Sequence, residues 1–187
     1  MKTSLRFLAA ALASCAFLSA SAQTPQRGFH IDAGNLDADW SEPQVYPIGG
    51  SFEFRLAQTI TVGRQGYLAG VFVPIYCGSG TVSVEVRDVN GDWPGPNVIG
   101  GGGLPASAWA PGAWTFIPLW SGNRLSAGDR IAVVLSNDSG ECDMIQTHTG
   151  VDYTGGKGSF ETIYQKNLLS DFPASGRDDF PFALVVH

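Results

Sequence analysis

Three side-chain oxygens stand at alternate positions in Asp88-Val89-Asn90-Gly91-Asp92, the spacing with which calcium loops begin. An EF-hand would continue with glycine at the sixth position and glutamate at the twelfth. Trp93 and Ile99 stand there instead, so that motif is excluded. Two expectations remain: a structural Ca2+ on Asp88, Asn90 and Asp92, or a plain Asn-Gly turn closing a strand. Asp37, Asp39, Asp178 and Asp179 are further loop carboxylates able to hold a structural ion.

The second chemical resource is aromatic. Five tryptophans and five tyrosines are many for a chain of 187 residues, and such rings stack on sugar faces and anchor binding hot spots. Trp93 and Trp109 lie beside proline and glycine in segments that read as loops. Tyr153 sits in a glycine-rich loop and Trp40 in an acidic arm. These four are the expected ligand-binding residues; the alternative for each is to fold back over the end of a sheet. Trp114 and Phe116 share one face of a strand and are expected in the core.

Catalytic sets are sparse. The histidines are His30, His148 and His187, none is in a nucleophile elbow, and no G-x-S-x-G, H-E-x-x-H, phosphate loop or dinucleotide fingerprint occurs. A glycosidase needs paired carboxylates across a cleft. Glu53, Glu85 and Glu161 are present, but Glu85 alternates outward on a strand with nothing evident to pair it. His148, between Thr147 and Thr149, reads as a surface residue at a strand end. No catalytic residue is therefore expected, and the chain is read as a non-enzyme.

The compartment follows from the first 22 residues. Lys2 and Arg6 precede an apolar run from Phe7 to Leu18, and Ala20-Ser21-Ala22 is a small-x-small cleavage site, so 1–22 reads as a signal peptide. The run is shorter than the roughly 20 residues a membrane-spanning helix needs. Leu12-Ala13-Ser14-Cys15 also resembles a lipobox that would lipidate Cys15, but the apolar run continues past it. Free secretion to periplasm or medium is the expectation, with no membrane insertion. Without Lys2 and Arg6 the chain carries 9 basic and 17 acidic residues, net −8, the wrong sign for a nucleic-acid partner. Only Cys77 and Cys142 then remain. In an oxidising compartment they are expected to form a disulfide, the other reading being two buried thiols. Both lie at strand ends, where a bridge could pin two sheets.

Positioning falls to strands. Val82, Val84 and Val86 alternate with Ser83, Glu85 and Arg87; Leu56, Gln58, Ile60 and Val62 share a face; Arg130 to Leu135 is apolar enough for a fully buried strand. Tyr67 to Tyr76, Trp114 to Leu119 and Phe182 to Val186 are further strands. Breaker clusters separate them, among them Asn90-Gly91, Trp93-Pro94-Gly95-Pro96 and Gly100 to Gly103. This punctuation predicts an all-β fold, a single antiparallel jelly-roll-like β-sandwich over 51–187, preceded by an N-terminal arm over 23–50.

Several of these segments also form a recognisable series. Gln58-Thr59-Ile60-Thr61, the strand from Gly66, the strand Gly80 to Asp88, Trp114-Thr115-Phe116, Ala127 to Leu135, Asp152-Tyr153-Thr154-Gly155-Gly156 and Asp179 to Val186 follow one another across nearly the whole chain. The series resembles bacterial secreted jelly-roll modules of the choice-of-anchor type. The resemblance implies an extracellular surface module and carries no active-site fingerprint. The leading functional expectation is a secreted binding module for a carbohydrate or surface polymer. A structural or adhesive protein with a surface-protein partner comes second, and a small extracellular hydrolase third. An acidic pair converging in a concavity is the feature that would favour the hydrolase.

Overall fold

The computed structural model describes residues 28–41, 45–109, 112–121, 124–148, 153–162, 165–171 (as backbone) and 179–187. The leader 1–22 with Cys15, and the loop carboxylates Asp152 and Asp178, lie outside the described residues. In chain order the strands are β1 (His30–Asn35), β2 (Val45–Gly49), β3 (Arg55–Thr61), β4 (Leu68–Val73), β5 (Ile75–Cys77), β6 (Thr81–Asn90) and β7 (Trp93–Pro105). They continue as β8 (Thr115–Ser121), β9 (Arg130–Ser136), β10 (Glu141–Ile145), β11 (Gly158–Thr162), β12 (Gln165–Asp171) and β13 (Phe182–Val186).

Ten strands form one antiparallel sheet in the order β1-β13-β4-β8-β7-β6-β9-β3-β11-β12, and β2-β10-β5 form a second. The large sheet curls on itself. Val71, Ile117 and Leu184 from its β13-β4-β8 part share a buried core with Ile60, Val84 and Val133 from its β6-β9-β3 part. The fold is thus the all-β sandwich that alternation implied. Val82, Val84 and Val86 are at most 2% exposed, and burying each such side chain stabilises the fold by roughly 1.5–3 kcal/mol. β9 is buried on both faces: Ile131, Val133 and Leu135 join the main core, while Val134 packs with Ala57 on the opposite face.

Four segments differ from their expected form, each for a physical reason. The strand expected over Tyr67 to Tyr76 is two, because Pro74 stands between β4 in the large sheet and β5 in the small one. Proline lacks the amide a ladder needs, so the chain changes sheets there. The segment 23–50, expected as an arm, contributes β1, which pairs with β13, and β2, which pairs with β10. Trp93–Pro105, expected as a glycine- and proline-rich loop, is the long strand β7 between β6 and β8. Trp114 and Phe116 lie in the phase opposite to the core: Ile117 and Leu119 are the buried residues of β8, and Phe116 is half-buried on the outer face. Finally, Cys77 and Cys142 do form a disulfide, but they stand opposite each other on β5 and β10. The bridge therefore joins neighbours in one sheet and does not pin two.

Candidate ligand-binding site

The tip of the β6–β7 hairpin begins the site. Asn90 pairs with Trp93, leaving Gly91-Asp92 as a two-residue turn. Gly91 takes φ 64° at the first central position, the place type II′ turns reserve for glycine. The Asp88 carboxylate accepts from the Asn97 backbone at 3.0 Å and from Asn97 Nδ2 at 2.6 Å, which braces the bulged arm of the hairpin. Asp92 accepts from Arg130 Nη2 at 3.1 Å, and Arg130 Nη1 donates to the Gly91 carbonyl at 2.8 Å. Asp88 and Asp92 thus face different protein donors, and Asn90 is exposed. Among the described residues no group of three or more His, Cys, Asp and Glu side chains is placed to hold a metal.

This tip reaches across two strands. β9 and β3 separate β6 from β11 in the sheet, yet Lys157 Nζ, just before β11, sits 5.2 Å from the centre of the Trp93 ring, a cation–π contact. A cleft of about 470 Å³ opens beside it, bounded by Thr61, Asp92, Arg130, Tyr153, Lys157 and Asp179. Tyr153 is half-buried, its ring edge-on to Phe182 at 5.0 Å between centres. Burial pushes its phenol above the ordinary value, with a smaller opposing effect from its bond to the Thr61 carbonyl and smaller upward pushes from Asp32 and Asp179. The hydroxyl therefore remains a donor at neutral pH.

A buried polar knot fixes the cleft from below. Asp179, 2% exposed, accepts from Gln58 Nε2 at 2.6 Å and from the Tyr153 amide at 2.7 Å. Gln58 Oε1 accepts from the Phe180 amide at 3.3 Å. Unsatisfied, these groups would each cost about 1–3 kcal/mol in so dry a place; together they fasten the Tyr153 loop to β3 and to the entry of β13.

Of the four expected aromatics only Tyr153 lines this cleft, with Trp93 beside it under Lys157. Trp109 follows a short 3-10 turn over Ala106–Ala108 and folds back on the core, with Nε1 donating to the Leu104 carbonyl at 3.4 Å. Trp40 is 43% exposed and lies next to Asp39, which with Asp37 brackets His148: Nδ1 is 2.9 Å from Asp37 and Nε2 3.4 Å from Asp39.

A second and larger concavity, about 980 Å³, is lined by Arg55, Glu85, Glu161, Asn137, Glu53 and Glu141 among others. Here the expectation that nothing pairs Glu85 is corrected. Glu85 meets Arg55 at 3.5 Å and is also paired with Arg87, while Arg55 meets Glu161 at 3.1 Å. Arg55 and Glu161 come from β3 and β11, so only the sheet order could reveal them, whereas Arg87 stands two residues along β6 on the same face as Glu85. Trp120, 62% exposed on β8, is another residue the sequence reading passed over; the buried phase of Ile117 and Leu119 places it outward. No protein-family model matches this chain, and a search of the curated proteins finds no match either.

Proposed function

We propose that the protein is a secreted, non-enzymatic module that binds a carbohydrate or related surface polymer in the cleft lined by Tyr153 and Lys157, beside Trp93. The observation that carries this reading is a cleft that presents the Tyr153 ring with Asp92, Arg130 and Lys157, the last lying over the Trp93 ring from a distant segment. One aromatic face among charged and hydroxyl groups suits a ligand whose rings have apolar faces and hydroxyl edges. The leader and the Cys77–Cys142 bridge support an extracytoplasmic location, and the strand motifs support kinship with choice-of-anchor surface modules. The test is a glycan array with the mature protein and with Trp93→Ala. Wild type should bind at least one glycan class and the variant should lose it while melting normally. Binding that survives in Trp93→Ala would place the site elsewhere.

The hydrolase, the third expectation, is favoured by one observation, that Glu85 and Glu161 both line the larger concavity. Arg55 stands between them, where it serves as ion-pair partner to both and neither is presented as a proton donor. Release of reducing ends from a polysaccharide panel, abolished in Glu161→Gln, would decide for it.

A further inference from the structure

The Asn-Gly pair at the tip of the β6–β7 hairpin has a chemistry that neither concavity uses. Asn90 is exposed and Gly91 follows it, and no other asparagine in the chain stands before glycine. Asn35 precedes Leu36, Asn97 precedes Val98, Asn123 precedes Arg124, Asn137 precedes Asp138 and Asn167 precedes Leu168. Asn35 and Asn137 are also buried, and the Asn97 amide is held by Asp88 at 2.6 Å. The Asn90 side chain, by contrast, has no hydrogen-bond partner among the described residues.

The backbone at the tip leaves the next amide open as well. Asn90 closes the ladder opposite Trp93, and Gly91 stands beyond it at the first central position of the turn. The amide at that position lies outside the ladder, and among the described residues it meets no acceptor. A Cβ added at Gly91 would find nothing within 4 Å. Neither a side chain of its own, nor a packed neighbour, nor a bonded proton therefore holds the Gly91 nitrogen away from Asn90 Cγ.

We propose that Asn90 is a self-modification site, which converts to isoaspartate in the folded protein and loosens the tip that borders the cleft. The Gly91 nitrogen attacks Asn90 Cγ, and the new C–N bond closes a succinimide. The Cγ–Nδ2 bond breaks, and ammonia leaves with the Gly91 proton. Water then adds to one of the two imide carbonyls and opens its C–N bond. Opening at Cγ gives aspartate; opening at the main-chain carbonyl gives isoaspartate, whose backbone runs through Cβ and is longer by one atom. A two-residue turn fixes the span between its paired residues, so the added atom disturbs the Asn90–Trp93 pair. It also disturbs the bonds from Arg130 to the Gly91 carbonyl at 2.8 Å and to Asp92 at 3.1 Å. Trp93 follows directly, and its contact with Lys157 at 5.2 Å loosens with the turn. Any effect on ligand binding rests on the glycan-binding reading above; the conversion itself does not.

The test is ageing of the disulfide-bonded mature protein in mildly alkaline buffer at a temperature where it stays folded. Peptide mapping with electron-transfer fragmentation and labelling by an isoaspartate methyltransferase read the product. Isoaspartate should form at residue 90 about tenfold or more faster than at any other asparagine, and Asn90→Ser should take up no label at this tip. Conversion that comes first at another asparagine overturns the inference. So does an intact Asn90 in the folded protein after a time in which a synthetic peptide of residues 88–97 has converted. Anion exchange separates the aged form by its added carboxylate, and hydrogen exchange of its Trp93 amide should be about tenfold or more faster than in fresh protein. Equal exchange in the two forms overturns the loosening of the tip. A fresh protein that binds no glycan refutes the cleft reading alone, because mass and exchange read the conversion without a ligand.

Discussion

Replacing Asp179 with alanine tests whether the polar knot beneath the cleft holds the sandwich together. The change leaves Gln58 Nε2 and the Tyr153 amide without the acceptors they now meet at 2.6 and 2.7 Å. Hydrogen bonds to a charged acceptor contribute about 1.5–3 kcal/mol each. The Gln58 share falls at the low end, because its Nε2 also reaches the Thr59 carbonyl at 3.3 Å. Part of the loss is offset, since a desolvated carboxylate disappears with its bonds. The net expectation is a destabilisation of about 3 kcal/mol, which at a urea slope of about 2 kcal/mol/M lowers the unfolding midpoint by about 1.5 M. Asp179→Asn, which keeps an acceptor oxygen, should lose about half as much. Equilibrium urea unfolding followed by tryptophan fluorescence reads both. A midpoint for Asp179→Ala within about 0.3 M of wild type, a change of well under 1 kcal/mol at that slope, would refute the argument that these bonds are what fastens β3, the Tyr153 loop and the entry of β13.

Glu85→Lys places a third cation beside Arg55 and Arg87, so it should destabilise by about 1–2 kcal/mol at low salt and less at 1 M; equal melts at both salt concentrations would show that the ion pairs contribute nothing. Val84→Asp, by contrast, buries a charge in a side-chain position 2% exposed and should abolish cooperative unfolding. Reduction of Cys77–Cys142 frees a span of 65 residues, and the chain-entropy argument puts the loss near 4 kcal/mol; identical melting with and without a phosphine reductant would exclude it. Asp143 has its carboxyl raised above 3.8, first by burial and then by Glu141. Between 3.8 and that raised value the folded state holds more protons than the unfolded, so this group costs stability as pH rises through the window and above it. Asp143→Asn should therefore be more stable than wild type at neutral pH and equal to it below 3.8; the reverse order sinks the assignment.

Where one face of a strand meets the core, the sequence was readable. Val82, Val84 and Val86 announce their burial by alternation, and β9 announces its two buried faces by an unbroken apolar run. β7 was not readable, because its glycines answer to neighbours. A Cβ at Gly100 would come within 2.5 Å of the Trp120 carbonyl, and one at Gly101 within 2.7 Å of that of Val84; no local pattern distinguishes such glycines from those of a loop. The phase of β8 was legible from Ile117 and Leu119 but was obscured by the size of the rings at 114 and 116. The site was half legible. Trp93 and Tyr153 stood out as rings among breakers, whereas the placing of Lys157 over Trp93 depends on a hairpin crossing two strands. Arg55, Glu85 and Glu161 are joined only by strand order.

The position of the disulfide also bears on how the molecule would behave under tension. A pull on the two ends of the chain is carried across Cys77 and Cys142, and the 65 residues between them, about 230 Å of fully extended chain, cannot be drawn out. β6, β7, β8 and β9 all lie inside that closed span. Load can strip β1 from the edge of the large sheet, and then β13 beside it, and lengthen the molecule there, while β6 to β9 remain a sealed length. Held at one end and tugged at the other, such a domain would yield at its margins first.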